Sequence, residues 1–109
     1  MKVVYHDFGG SHSTATAAAI HLGLIPEDKV PDSKDLLTKV PFFDSLTAPD
    51  HGRLFFMGVD EQYNQVYLLP RANRPDLVLN AVLSTIENLG GDPDEWIFVN
   101  TLPTVNLWM

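Results

Sequence analysis

The fold is decided by residues 2–14, which read KVVYHDFGGSHST. The β-branched and aromatic run at residues 3–5 predicts a central strand, and the alanine-rich run at residues 15–22 predicts a helix. Between them, the pair Gly9-Gly10 lets the backbone approach a ligand closely, and the first N–H groups of the helix favour an anion. A strand, a glycine pair and a hydroxyl-rich helix start, in this order, are typical of an anion site in an α/β protein.

Apolar periodicity predicts the elements outward from this stretch. They are a short helix, two strands, an amphipathic helix and a last strand, at residues 32–39, 54–59, 65–69, 74–89 and 96–99. The five residues between the two middle strands predict an antiparallel hairpin, and Pro70 marks an edge or a strand end. The order β-α-short helices-β-β-α-β predicts an α/β fold with a mixed, mainly parallel four-stranded sheet and helices on its faces.

The composition excludes several classes of protein. A chain of 109 residues with 45% hydrophobic residues indicates one globular domain, residues 1–109. The net charge of −7 and the scattered basic residues argue against nucleic-acid binding. No apolar run has the length of a membrane span, and no signal-peptide core follows Met1, so no membrane contact is expected. Since cysteine is also absent, the sequence predicts a cytoplasmic protein without disulfides or thiolate metal sites.

The glycine loop fits none of the common phosphate-loop patterns. A Walker A loop needs a lysine, and the chain has none between Lys2 and Lys29. A dinucleotide fingerprint needs spaced glycines rather than an adjacent pair. The loop is similar in length and position to that of the low-molecular-weight phosphotyrosine phosphatases, but Asp7 falls where their cysteine nucleophile stands and Ser13 where their arginine stands. We therefore expect no phosphatase chemistry of that type.

Two interpretations of the loop stay open. In the first, the backbone N–H groups of residues 10–13 cradle an anion, and nearby hydroxyls donate to it. The ligand-binding residues of the loop are then Asp7, Gly9, Gly10, Ser11, Ser13 and Thr14. In the second, the glycine pair is only a tight turn, and Ser13 or Thr14 caps the helix.

His6 and His12 flank the loop and are the candidate catalytic residues. A histidine beside an anion can donate a hydrogen bond or act as a general acid. His6, Asp7 and His12 could instead contribute imidazole and carboxylate ligands to a metal site. The structural alternative is that His6 bonds to a neighbouring loop carbonyl. His21, near the end of the first helix, is interpreted as structural.

Asn100 and Thr101 follow the last strand and complete the predicted site. Ligands of open α/β sheets bind beyond the carboxyl ends of parallel strands, so these residues would share one edge with residues 6–13. The alternative is a turn in which both side chains bond to their own backbone. Asp60 would reach this edge only if its strand were parallel to the first, and otherwise lies in a solvated turn. Arg71 and Arg74 are equally possible as solvent-facing charges.

Five segments together resemble a known family. They are YH at residues 5–6, GGSHS at 9–13, AAAIHLGL at 17–24, FMGVDE at 56–61 and VNTLP at 99–103. The chain thereby resembles a small bacterial family catalogued as domain of unknown function 3189, over nearly its whole length. Members of that family often carry a cysteine where this chain has Asp7, which argues against a thiol mechanism here. The resemblance implies no activity and no cofactor.

The sequence supports two hypotheses of function. The first is a cytoplasmic protein that binds an anionic, phosphate-bearing small molecule at the loop; if it is an enzyme, we expect phosphoester hydrolysis or phosphoryl transfer. The second is a non-enzymatic interaction module in which the loop is only structural. An apolar C-terminal stretch, Leu107-Trp108-Met109, favours a homodimer under the second hypothesis, because burying a large side chain is worth about 1.5–3 kcal/mol.

Overall fold

The computed structural model describes residues 1–9, 12–25, 33–43 and 52–101. Its strands are β1 (Lys2–Asp7), β2 (Phe55–Val59), β3 (Gln65–Pro70) and β4 (Trp96–Asn100). Its helices are α1 (Ser13–His21), α2 (Ser33–Lys39) and α3 (Pro75–Asn88), and a single 3-10 turn, Pro93–Glu95, precedes β4. The expected C-terminal contact at residues 107–109, the loop residues 10–11 and the predicted N-cap Asp32 lie outside the described residues.

The four strands form one mixed sheet in the order β2-β3-β1-β4. β1 is parallel to both β3 and β4, whereas β2 is antiparallel to β3. This confirms the predicted α/β class, the central position of the first strand and the antiparallel hairpin. Pro70 ends β3 beside Asp7. Because β3 is an interior strand, Pro70 marks a strand end rather than an edge.

The alanines of α1 let this helix lie close to the sheet. Ala15, Ala18 and Ala19 are fully buried against Val66 and Leu68 of β3, in the main core cluster. The helix ends because Gly23 has a φ of 74°, which a residue with a Cβ rarely adopts. The N–H of Leu24 then donates to the carbonyl of Ala19 at 2.9 Å, which closes the last turn.

The amphipathic helix α3 differs from its expectation. Its apolar residues repeat at helical spacing, yet none of them is buried by the described parts of the chain. Leu77 is 58% exposed and Leu89, just after the helix, 82% exposed. Together with Leu54, this apolar face lines a cavity of about 530 Å³.

None of the helices in the described ranges is long and apolar enough to span a membrane.

Candidate functional site

The site lies where the three parallel strands end. The register pairs His6 of β1 with Leu69 on one side and with Asn100 on the other. Two backbone hydrogen bonds continue the sheet beyond its strands: the N–H of Arg71 donates to the carbonyl of Asp7 at 3.0 Å, and that of Thr101 to the carbonyl of His6 at 2.9 Å. The topology therefore brings residues from three strand ends to one edge.

Arg71 is the centre of the polar contacts at this edge. The residue is only 2% exposed. Its Nε donates to Nδ1 of His6 at 3.3 Å, and its Nη2 donates to Oδ1 of Asn100 at 3.3 Å. Its Nη1 donates to the carbonyl of Ala72 at 2.9 Å. The guanidinium thus joins the ends of β1, β3 and β4.

These contacts fix the tautomer of His6. A guanidinium is only a donor, so Nδ1 of His6 has to accept, and the ring proton of the neutral imidazole sits on Nε2. Burial and the neighbouring Arg71 charge lower the pKa of His6, against the opposing effect of Asp7. His6 is therefore neutral at pH 7 and presents an N–H donor at Nε2.

A second set of contacts lies on the α1 side of the same edge. The hydroxyl of Ser13 donates to Oδ2 of Asp7 and lies 3.0 Å from Oγ1 of Thr101. Oγ1 of Thr101 also donates to the carbonyl of His6 at 3.3 Å. Asp7 and Thr101 are both buried. The edge thus carries a buried carboxylate on the α1 side and a buried guanidinium at the end of β3.

Within the described residues, the start of α1 has no side-chain cap. His12 occupies the N-cap position, and its side chain makes no capping hydrogen bond. The alternative in which Ser13 or Thr14 caps the helix is wrong, because both residues already lie in the first turn. Thr14 is fully buried, and its Oγ1 has no hydrogen-bond partner among the described residues. Such a buried hydroxyl is costly unless a ligand or water satisfies it.

The predicted site residues are placed as follows. His6, Asp7, Ser13 and Thr101 are joined by the contacts above, and Asn100 joins them through Arg71. Gly9 has open space where a side chain would stand. Gly10 and Ser11 lie outside the described residues. His12 is exposed, and its ring meets the ring of Phe43 edge-on at 5.3 Å between centroids.

Arg71 is the site residue that the sequence interpretation missed. Its expected place was in solvent, and that expectation is wrong for Arg71 but agrees with the exposure of Arg74. The available signal was its position directly after Pro70, at the carboxyl end of a strand. At such an edge a cation can be buried if its donors find acceptors, as those of Arg71 do.

A second polar cluster lies at the opposite end of the sheet. Nδ1 of His21 lies 2.7 Å from the hydroxyl of Tyr5, and Nε2 of His21 lies 2.7 Å from Oδ2 of Asp60. Asp60 also accepts from the N–H groups of Gln62 and Asn64 and from Nδ2 of Asn64. These bonds, with the His21 bond first, lower the pKa of Asp60. Since β2 is antiparallel to β3, Asp60 is far from the candidate site, and its expected place in a merely solvated turn is wrong.

The metal alternative finds no support in the geometry. Among residues 1–9, 12–25, 33–43 and 52–101, no three His, Asp or Glu side chains converge as metal ligands. His6, Asp7 and His12 are all within these ranges.

Comparison with known proteins gives one finding. A family model described as Protein of unknown function (DUF3189) matches residues 2–109. No curated protein and no solved structure matches the chain.

Proposed function

The chain belongs to the DUF3189 family, whose description assigns no activity, and from the geometry of its own site we propose that it binds a phosphate-bearing or other anionic small molecule. The ligand lies over the carboxyl ends of β1, β3 and β4, beside the start of α1. We also propose that the chain acts in the cytoplasm of a bacterium, as its lack of cysteine and its family resemblance favour.

One observation supports the proposal most directly: the guanidinium of Arg71 donates to the acceptor atoms around it, so these are not available to a ligand. Nδ1 of His6 and Oδ1 of Asn100 both accept from the guanidinium. What His6 then offers a ligand is an N–H donor, and two of the five N–H bonds of Arg71 lie beyond the three contacts described above. A buried cation with N–H bonds left to donate, next to a histidine that presents a further N–H donor, favours an acceptor-rich group, and phosphate and carboxylate are the common ones.

The start of α1 supports the same ligand from the other side. Its first turn presents backbone N–H groups at the positive end of the helix dipole. The buried hydroxyl of Thr14 adds a donor that no described residue uses. We expect the backbone N–H groups of residues 10–13 to complete this cradle, together with the hydroxyl of Ser11.

The chain has a net charge of −7, so an anion site needs a local positive field. Arg71 supplies it at the carboxyl edge of the sheet, where its guanidinium contacts His6 of β1 and Asn100 of β4. Its burial strengthens the effect, because the interaction of two charges grows as the local dielectric constant falls.

If the chain is an enzyme, phosphoester hydrolysis or phosphoryl transfer is the reaction that fits the site. His6 then acts as a neutral donor to the charge on the transferred group rather than as a general acid, because its pKa is lowered. His12 remains the candidate for proton transfer, since it is exposed at the helix start.

The test is calorimetric titration of the full chain with inorganic phosphate and with a panel of phosphate-bearing metabolites and nucleotides. Arg71→Gln should abolish binding, whereas Arg74→Gln, which removes the same charge from an exposed neighbouring position, should retain it. Gly10→Val should also abolish binding, since a side chain there would obstruct the close approach of a ligand to the loop. No binding across the whole panel would refute the proposal.

A second candidate function is favoured by the apolar face of α3. This face is not covered by the described parts of the chain and lines a cavity of about 530 Å³ with Leu54. Apolar surface of this kind is typical of a protein contact, and a homodimer is the form that we propose for it. Light scattering at high micromolar concentration tests it: a dimer that becomes a monomer when the exposed Leu77 is replaced by a charged residue, as in Leu77→Lys, supports it, and a monomeric parent protein refutes it.

A further inference from the structure

One residue at the carboxyl edge has a strained backbone. Ala72, directly after Arg71, has a φ of 52°, in the region that favours glycine. It occupies the second position of a turn that closes with a hydrogen bond of 3.3 Å from the N–H of Arg74 to the carbonyl of Arg71. Turns with a positive φ at this position are dominated by glycine, asparagine and aspartate, so an alanine there costs stability.

Both backbone groups of Ala72 form hydrogen bonds at this edge. Its N–H donates to the carbonyl of Phe8 at 2.9 Å, which continues the pairing of β1 and β3 beyond the strands. Its carbonyl accepts from Nη1 of Arg71 at 2.9 Å. A strained backbone persists only where the surrounding contacts hold it, and such residues are concentrated at binding and catalytic sites. Of the two contacts, the one to the guanidinium reaches the candidate anion site.

We propose that Ala72 is a positioning residue for Arg71: its positive φ turns its carbonyl toward Nη1 and thereby sets the orientation in which the guanidinium meets an anion. This inference rests on the proposed anion site. The other two acceptors of Arg71 belong to the side chains of His6 and Asn100, at 3.3 Å each. The carbonyl of Ala72 is closer and is part of the backbone, so it has the least freedom to move.

The orientation matters because the guanidinium is planar. Its five N–H bonds form a rigid fork, so three that are held by acceptors fix the directions of the other two. An anion then meets donors that need no rearrangement, and preorganised donors bind more tightly because less conformational freedom is lost. Without the carbonyl of Ala72, the guanidinium keeps only side-chain acceptors, and its orientation is less defined.

Tyr63 provides the comparison, because it has the same type of backbone strain far from this edge. Its φ is 66°, and its N–H donates to the carbonyl of Asp60 at 3.1 Å in the turn between β2 and β3. The residue is 86% exposed. A substitution that increases the strain at Tyr63 therefore lowers stability at the opposite end of the sheet from Arg71.

The experiment is calorimetric titration of inorganic phosphate into the full chain and into Ala72→Val, Ala72→Gly and Tyr63→Val, with urea unfolding of each. Valine is branched at Cβ and rarely adopts a positive φ, so Ala72→Val should move the carbonyl away from Nη1. We expect it to weaken phosphate binding about tenfold, the size expected for one hydrogen bond of a charged group. Ala72→Gly should bind about tenfold more tightly than Ala72→Val, since glycine adopts a positive φ freely. Tyr63→Val should lose stability and bind phosphate as the parent chain does.

Phosphate binding by Ala72→Val that equals binding by the parent chain would overturn the inference and leave the proposed anion site standing. Equal losses of affinity in Ala72→Val and Tyr63→Val would also overturn it, and so would equal losses in Ala72→Val and Ala72→Gly. If Ala72→Val does not unfold cooperatively, Ala72→Leu, unbranched at Cβ, takes its place with the same expected loss. If the parent chain does not bind inorganic phosphate, the inference fails; if it binds no phosphate-bearing compound either, the proposed anion site fails with it.

Discussion

The two histidine clusters at opposite ends of the sheet differ in how completely their hydrogen bonds are used. At the C-terminal end of α1, both ring nitrogens of His21 lie 2.7 Å from a partner oxygen, and Asp60 accepts from four donors. At the carboxyl edge, Arg71 occupies one ring nitrogen of His6, and no described residue accepts from the other. One cluster is closed within the protein, and the other offers donors to a ligand.

This difference separates a structural role from a binding role. The His21 cluster joins the end of α1 to the turn between β2 and β3, and both ring nitrogens of His21 already have partners among the described residues. The His6 cluster keeps an N–H donor at a residue that is only 4% exposed, and the first turn of α1 carries a fully buried Thr14 hydroxyl without a described partner. Buried polar groups of this kind are costly for folding, so a binding function is the reason that we infer for them.

The largest effect on stability is expected in the His21 cluster. His21→Ala should lower the free energy of unfolding by about 2–3 kcal/mol, because it removes two hydrogen bonds, one from Tyr5 and one of the four to Asp60. Phosphate binding should be unchanged, since the cluster is at the other end of the sheet. Urea unfolding and phosphate titration of the same variant check both statements; a variant as stable as the parent chain would mean that the cluster is not structural.

The next effect is a pH dependence that differs between the clusters. Burial and Arg71 lower the pKa of His6, so near and below pH 6.5 the unfolded chain binds a proton that the folded chain resists. The contribution of His6 to stability is therefore present above pH 6.5 and is lost as the pH falls below it. The hydrogen bonds of Asp60 lower its pKa too, so its contribution is lost only as the pH falls below about 4.

Two variants distinguish the pH range in which His6 contributes to stability from the one in which Asp60 does. His6→Gln should flatten the stability profile between pH 6.5 and 5 and leave the acid region unchanged, and Asp60→Asn should do the reverse. Urea unfolding at a series of pH values measures both slopes. A His6→Gln profile that runs parallel to the parent profile would show that His6 does not titrate as its contacts require.

A smaller loss of stability is expected for Tyr5→Phe. The substitution removes only the hydroxyl that lies 2.7 Å from Nδ1 of His21 and keeps the ring in place, so the cost should be about 1 kcal/mol. Adding Tyr5→Phe to His21→Ala should cost almost nothing further, because the hydrogen bond has already been lost. Additive losses in the double variant would mean that the two residues act independently.

The smallest effect is expected for His12→Ala. His12 is exposed and makes no capping hydrogen bond with its side chain, so the stability should change by less than about 1 kcal/mol. It is the matched control for His21→Ala, since both replace a histidine at an end of α1. If His12 handles the ligand, phosphate affinity should fall nonetheless; a stability loss as large as that of His21→Ala would assign it a structural role.

The parts of the fold that depend on local pattern were predictable. The alanines of α1 and the glycine at its end predicted where this helix lies and where it ends. The β-branched and aromatic run of β1 predicted that this strand is central in the sheet. Because β1 and β4 were expected to be parallel, Asn100 and Thr101 could be placed at the same edge as His6.

What the sequence could not predict depends on partners that are distant along the chain. Arg71 is buried because its acceptors come from strand ends 65 and 29 residues away. Its position directly after Pro70 sets it apart from the exposed Arg74, but that position does not state which acceptors it meets. Asp60 is bonded to His21, 39 residues earlier, for the same reason. The apolar pattern of α3 predicted a helix correctly, but a pattern does not state what covers the helix face.

The most direct test of the His6 cluster as an anion site is calorimetric titration of inorganic phosphate into the parent chain, Arg71→Gln and Arg74→Gln. We predict binding by the parent chain and by Arg74→Gln, and loss of binding by Arg71→Gln in a sample that still unfolds cooperatively. Phosphate binding that is equal in Arg71→Gln and the parent chain would contradict the assignment of the carboxyl edge as the anion site.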